Sequence, residues 1–260
     1  MVSARMVFGA LAIVLSSAPL AAFQTQEEAF VALEQINHLV NAEPNNATHY
    51  VKRGDIYYLL NDMHRSVADY SAAIKLDDHQ DDAYFGRGMA YGRTGLVDEG
   101  IVDLGIYIAR HPDSSVAYTK RGVRNIWRGN LAEAERDLTH AVELDPNNAE
   151  AHDDLGVVHA KYKRLRTAAK HFSTAIKLDP SYQKAYHNLA ICYFMGGQLQ
   201  PALEVVDAGL GLDSENRSSL MLKASILKAL GRLAEAKEIS ERAEFLPEEN
   251  WTERSAIGGV

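Results

Sequence analysis

Residues 149–182 set the pattern for most of the chain. "AEAHDDLGVVHAKY" carries apolar residues at helical spacing, "KRL" breaks it, and "RTAAKHFSTAIKL" resumes it until Pro180 ends the run. That predicts two amphipathic helices joined by a short turn. The same unit recurs along the sequence. Pro44, Pro112, Pro146 and Pro180 differ by 68, 34 and 34, with Asp78 and Ser214 at the intervening steps. Gly54, Gly88, Gly122 and Gly156 keep the same period, followed by Ala190 and Ala224. Tyr50, Tyr84, Tyr118 and Tyr186 precede them in step, with His152 and Leu220 as substitutes. Three columns in phase predict an all-α array of helix pairs in which each pair contacts its neighbours.

Side-chain size along the period supports close helix packing. Small residues form columns at Ser66, Gly100, Ala134, Ala168, Ala202 and Ala236, and again at Ala73, Ala141, Ala175, Gly209 and Ala243. Tyr70, Leu104, Leu138 and Phe172 are the large residues between them. The turn inside each pair carries Gly95, Gly129, Gly197 or Gly231, as a left-handed helix C-terminus requires; Asn61 suits that position and Lys163 does not. Residues 81–114 hold six glycines, four of them beyond what the period explains, and are expected to be a soft segment.

These columns resemble the tetratricopeptide repeat family over residues 47–250, as six repeats: 47–80, 81–114, 115–148, 149–182, 183–216 and 217–250. Residues 23–46 read as an N-terminal capping helix in the same phase, with Ala32 and Ile36 in register, and 251–260 as a C-terminal tail. The resemblance implies a solenoid, a right-handed superhelix of antiparallel helix pairs whose first helices line a concave face. It also implies a protein-binding rather than catalytic role.

Three words, "HYVKRG", "AYFGRG" and "AYTKRG", place Arg53, Arg87 and Arg121 in one first-helix column. Asp69, Asp103 and Asp137 stand sixteen residues later on the second helices. Both columns change together afterwards, to Leu155 with His171, Leu189 with Val205 and Lys223 with Ile239. Such covariation along the chain predicts structural ion pairs within each helix pair rather than an anion-binding ladder.

By the family geometry the concave face presents Tyr58, Phe85 and Met89, then Val123, Ile126 and Val157, then His187, Ile191 and Phe194. A mostly apolar stripe on an accessible face predicts a groove for a protein or peptide partner. Val51 and Asp55 stand where chaperone-binding members of the family carry a lysine–asparagine carboxylate clamp, so that ligand class is not expected. His152 and His159, seven apart in columns otherwise largely aromatic, read as packing residues. No phosphate loop, nucleophile elbow or HExxH motif occurs, and no catalytic site, cofactor or metal is expected.

Charge changes the picture only by exclusion. A net charge of −8 argues against a nucleic-acid surface. Cys192 is the single cysteine, so the fold stands without an intramolecular disulfide. Residues 1–22 read as a signal peptide: Arg5, an apolar core at 6–15, and small residues up to Ala22. The apolar core spans about 15 Å as a helix, half of a bilayer. The expectation is therefore an exported protein, periplasmic in a bacterium, without stable membrane insertion once the signal is cleaved; an uncleaved signal acting as anchor is the alternative. The functional expectation is a non-enzymatic interaction scaffold or, within the same logic, an assembly factor for cell-envelope machinery.

Overall fold

The structure is a computed structural model that describes residues 25–247; the segment read as a signal peptide and the tail at 251–260 lie outside the described residues. Among the described residues there are thirteen α-helices and no strand. The chain divides into two compact units between Pro112 and Asp113. The first unit holds α1 (Gln26–Ala42), α2 (Ala47–Leu59), α3 (Met63–Leu76), α4 (Asp81–Arg93) and α5 (Val97–Arg110). The second holds α6 (Ser115–Arg128), α7 (Leu131–Leu144), α8 (Ala149–Lys161), α9 (Leu165–Leu178), α10 (Gln183–Met195), α11 (Leu199–Leu212), α12 (Arg217–Ala229) and α13 (Leu233–Glu244).

Sequence chemistry fixes both kinds of turn. Between repeats, the Asp77, Asp145, Asp179 and Asp213 side chains each accept from the backbone N–H two residues on, at 2.9–3.1 Å. This closes the turn after a second helix. Side-chain oxygens of Asn46, Ser114, Asn148 and Asn216 cap four of the first helices, Asn148 and Asn216 directly after such an aspartate turn, whereas the helices after Asp77 and Asp179 have no side-chain cap. Within each pair the chain reverses through a residue at positive φ: Asn61, Gly95, Gly129, Lys163, Gly197 and Gly231. Lys163 adopts this conformation (φ 59°) although its Cβ opposes it.

Close approach of the paired helices explains the glycine column. A Cβ at Gly156 would stand 2.6 Å from Phe172 Cε1, one at Gly122 2.7 Å from Leu138 Cγ, and one at Gly54 2.9 Å from Tyr70 Cε1. Each large residue fills the space its partner glycine leaves open, and all three are fully buried. Tyr70 is longer than its counterparts and reaches into the next repeat, where a Cβ at Gly86 would lie 2.3 Å from its Cζ. A Cβ at Gly100 would meet the Gly88 carbonyl oxygen at 2.9 Å. Two of the glycines that mark 81–114 as soft therefore have packing reasons. Tyr107, in the same segment, packs against the Phe85 ring at 5.0 Å and stacks on His111 at 4.4 Å. In the first unit, Ala32 and Ile36 of α1 bury against Ile56 in the manner of a second helix.

Two substitutions test this account by urea denaturation. Gly156→Ala forces a methyl group into the Phe172 ring and should cost about 1–3 kcal/mol. Lys163→Gly relieves the left-handed strain and should stabilise the second unit by about 1 kcal/mol, after the extra entropy of the unfolded glycine is deducted. A destabilised Lys163→Gly would contradict the turn geometry.

Candidate interaction surface

The arginine words resolve into a repeated three-part contact. Arg53 Nε and Nη2 donate to the two carboxylate oxygens of Asp69 at 2.7 and 2.8 Å. Arg87 makes the same fork with Asp103 (2.7 and 2.9 Å), and Arg121 with Asp137 (2.9 and 2.6 Å). These carboxylates are buried, and the hydrogen bonds to them hold each arginine pKa above its ordinary value. Three residues earlier, Tyr50, Tyr84 and Tyr118 lie 5.5–5.8 Å from the guanidinium carbons and cover them. In the first unit the remaining nitrogen reaches sixteen residues back, Arg53 Nη1 to Asn37 and Arg87 Nη1 to Ser71. Each such guanidinium thus ties its own pair to the preceding helix. Lys223, in the same column, reaches back only, to Asp207 at 2.8 Å.

A second polar system joins the first helices of successive repeats in the second unit. Lys120 of α6 bonds both Glu150 oxygens of α8 at 2.6 Å. Lys184 of α10 lies 3.0 Å from both Asp153 and Asp154 of α8, and Asn188 donates to Asp153 at 2.9 Å. His187 Nδ1 meets Ser219 Oγ of α12 at 3.1 Å. Asn148 donates to Ser115 and Thr119. Burial drives the Asp154 carboxyl above the ordinary range, and Lys184 only partly offsets this. These links recur at separations of 29–35 residues, which comparison of positions 34 apart does not reveal.

The predicted groove residues sort against these contacts. The column beginning at Val51 is largely spent on packing: Val51, Thr119 and Asp153 are buried, Phe85 packs on Tyr107, and His187 bonds Ser219. Tyr58 is half-buried beneath the Arg93 guanidinium at 4.8 Å. Ile126, Val157 and Phe194 each pack partly against a core cluster. Met89, Val123 and Ile191 are half-buried. In the second unit, Val123, Val157 and Ile191 therefore follow one line across α6, α8 and α10, continued by exposed Ser225 on α12. That line is narrower than the predicted stripe, because one position in three serves helix-to-helix packing.

Other features lie outside the repeat reading. Asp55 accepts from the Tyr70 hydroxyl at 2.6 Å; burial raises its pKa to about 7, and Asp82 adds to the effect. His152, His159 and His171 gather in the α8–α9 pair, with His171 between the other two rings at 5.5 and 5.3 Å. Burial and the two neighbouring rings lower the His171 pKa to about 4. Asp77, Asp78 and His79 also bring ligand atoms together, but at an exposed turn whose hydrogen bonds explain them. Cys192 is buried, and burial pushes its thiol up to about 11. Among the described residues no helix is long and apolar enough to cross a membrane.

Helix pairs on a 34-residue period with glycine-to-aromatic packing define a class of repeat protein, and the comparisons agree on which. A TPR repeat model matches residues 54–95, and tetratricopeptide repeat models match 82–114, 128–183, 159–226 and 218–244. Together these models of one repeat type span most of the chain, which belongs to the tetratricopeptide repeat family. Repeats of this family generally mediate protein–protein interaction rather than catalysis. A TPR repeat-containing protein of Methanocaldococcus jannaschii is 37% identical over 73 residues, which is 28% of this chain and only 13% of that relative. Among solved structures, one from Parabacteroides merdae is similar at TM-score 0.73 and 16% identity, covering 95% of this chain and 93% of its own. YrrB, described as a TPR protein with an unusual peptide-binding site, is similar at TM-score 0.57 and 22% identity (74% and 99% covered). PilF of Pseudomonas aeruginosa is similar at TM-score 0.65 and 16% identity (78% and 90% covered). At these identities the structures establish the fold.

Two measurements probe the electrostatics. Arg87→Leu leaves the buried Asp103 uncompensated and should cost about 2–3 kcal/mol, somewhat under the roughly 3–5 kcal/mol of a fully enclosed pair. Adding Asp103→Leu should recover much of the loss; an undiminished loss in the double variant would mean that packing, not charge, governs the site. For Asp55 the folded pKa lies above the unfolded one, so its neutral form is favoured by folding. That contribution is fully present below about pH 4 and is lost as pH rises through 7. Asp55→Asn should therefore have a higher urea midpoint than the parent at pH 8 and a matching one near pH 4.

Proposed function

We propose that this protein is a non-enzymatic scaffold, outside the cytoplasm, that binds a protein or peptide segment along the first helices of its repeats. One observation carries the reading. Val123, Val157 and Ile191 form an apolar line, 34 residues apart, on consecutive first helices that are themselves fastened by partly buried polar links. A rigid, partly accessible apolar line suits an extended segment, which offers side chains at regular spacing without a large ordering cost to the receptor. The peptide-binding site named for the similar YrrB structure is in keeping with this reading. The extracytoplasmic address rests on the composition of residues 1–22.

Site-specific photo-crosslinking in the native cells tests it. A benzoyl-phenylalanine at position 123 or 191 should give one defined protein adduct, and the same probe at exposed Lys170 on α9 should not. Val123→Glu and Ile191→Glu should lower partner capture at least about tenfold with helical content retained. Equal adducts from position 170, or capture unaffected by both substitutions, would refute the groove. Recovery of the protein in the cytoplasmic fraction would refute the address alone.

A further inference from the structure

We propose that His152, His159 and His171, with Glu135, form a binding site for a divalent transition-metal ion of the zinc type. The argument starts from one hydrogen bond. His152 Nε2 lies 3.2 Å from the Pro146 carbonyl oxygen. A carbonyl only accepts, so this nitrogen carries the proton and His152 Nδ1 presents a lone pair. That lone pair faces His171 Nδ1 across 3.2 Å. Two nitrogens bound to one tetrahedral zinc ion at 2.0–2.1 Å stand about 3.3 Å apart, so the pair already has the spacing of two ligands. The shared proton sits on His171 Nδ1; an ion takes its place when that proton moves to Nε2, with no net change in the neutral ring. Pro146 then supplies the outer hydrogen bond that a ligating histidine ordinarily makes to a backbone carbonyl.

The third histidine points the same way. His159 Nδ1 is buried without a hydrogen-bond partner, an expensive state for a polar atom unless something else satisfies it. Its ring stacks on His171 at 5.3 Å, and Nδ1 lies 3.7 Å from Glu135 Oε1 on α7. Imidazoles with one carboxylate make a donor set for zinc, copper or nickel rather than for magnesium or calcium. No three of the four proposed ligands hold their ligand atoms within 4.8 Å of one another, so the His159 ring and Glu135 must both move toward the His152–His171 pair as the ion enters. Arg164 holds Glu135 Oε1 at 2.7 Å and competes for it.

The period shows what makes this pair of helices unlike the others. Position 171 continues the column of Asp69, Asp103 and Asp137, each locked by an arginine. Here the arginine position is Leu155, so no guanidinium is locked onto position 171, and the guanidinium that acts on the cluster is that of Arg164, held on Glu135. His152 and His159 replace residues that are tyrosine in most other repeats. All three departures bring imidazole into one helix pair.

The test titrates chelator-treated full-length protein with zinc chloride by calorimetry, and with cobalt(II) by its d–d absorption. One equivalent should bind saturably, with the cobalt spectrum of a four-coordinate site. His171→Gln and His152→Gln should each weaken binding at least about tenfold with the helical circular dichroism retained. His79→Gln, which alters the exposed turn cluster, should leave it unchanged. Where His171→Gln does not fold, His159→Gln carries the same test. No saturable binding, binding indifferent to these substitutions, or binding lost with His79→Gln overturns the proposal.

Discussion

The structure depends on one register: residue i of a first helix meets residue i+16 of the second. Helices of thirteen and fourteen residues joined by a short left-handed turn leave no other choice. Gly156 receives Phe172, Gly122 receives Leu138 and Gly54 receives Tyr70, and a shift of a single residue would drive a Cβ into a ring or branch point. The same sixteen-residue step aligns Arg53, Arg87 and Arg121 with their aspartates. The ion pairs therefore sit one position from the steric contact and specify the register that the glycines permit. A charged pair of this kind adds less to stability than to uniqueness, since a misaligned alternative would bury a carboxylate alone.

Helix pairs and turns were legible because each rests on a short-range requirement that recurs at one interval. Proline, aspartate and asparagine mark the turns between repeats, glycine the turns within them, and small or large residues the contact columns. Partnership between Arg and Asp was also readable, since both columns change together along the chain. The aromatic residue of the "aromatic-x-x-Arg-Gly" word was harder. It reads as part of the packing column, whereas Tyr50, Tyr84 and Tyr118 cover the guanidinium that follows them. Gly86 was illegible for a related reason, because its partner Tyr70 belongs to the previous repeat.

The candidate interaction surface was only partly legible. A family geometry assigns three outward positions to each first helix, but it does not say how much neighbouring helices use them. Thr119 and Asp153 have been drawn into polar links between α6, α8 and α10, and they are nearly or wholly inaccessible. Those links run at 29–35 residues, out of step with the period, so columns compared at 34 pass over them. His171 was hidden in the same way: it appears as a missing aspartate until its neighbours His152 and His159 are set beside it in space.

Division of labour between the two helices of each pair follows from these constraints. The i to i+16 contacts fix one face of both helices and tolerate little change. First-helix positions at the margin of that face carry less register information, so Met89, Val123, Val157, Ile191 and Ser225 differ in size and polarity at the same step of the period. Chemistry can therefore vary from repeat to repeat without disturbing the frame. In the second unit the fastening of α8 to α6 and α10 by Lys120, Lys184 and Asn188 adds the remaining requirement, a surface whose spacing is set before a partner arrives. On the proposed scaffold reading, recognition on such a surface would be limited by side-chain identity rather than by ordering of the receptor, which is the physical reason an apolar line of modest width would suffice to select a segment.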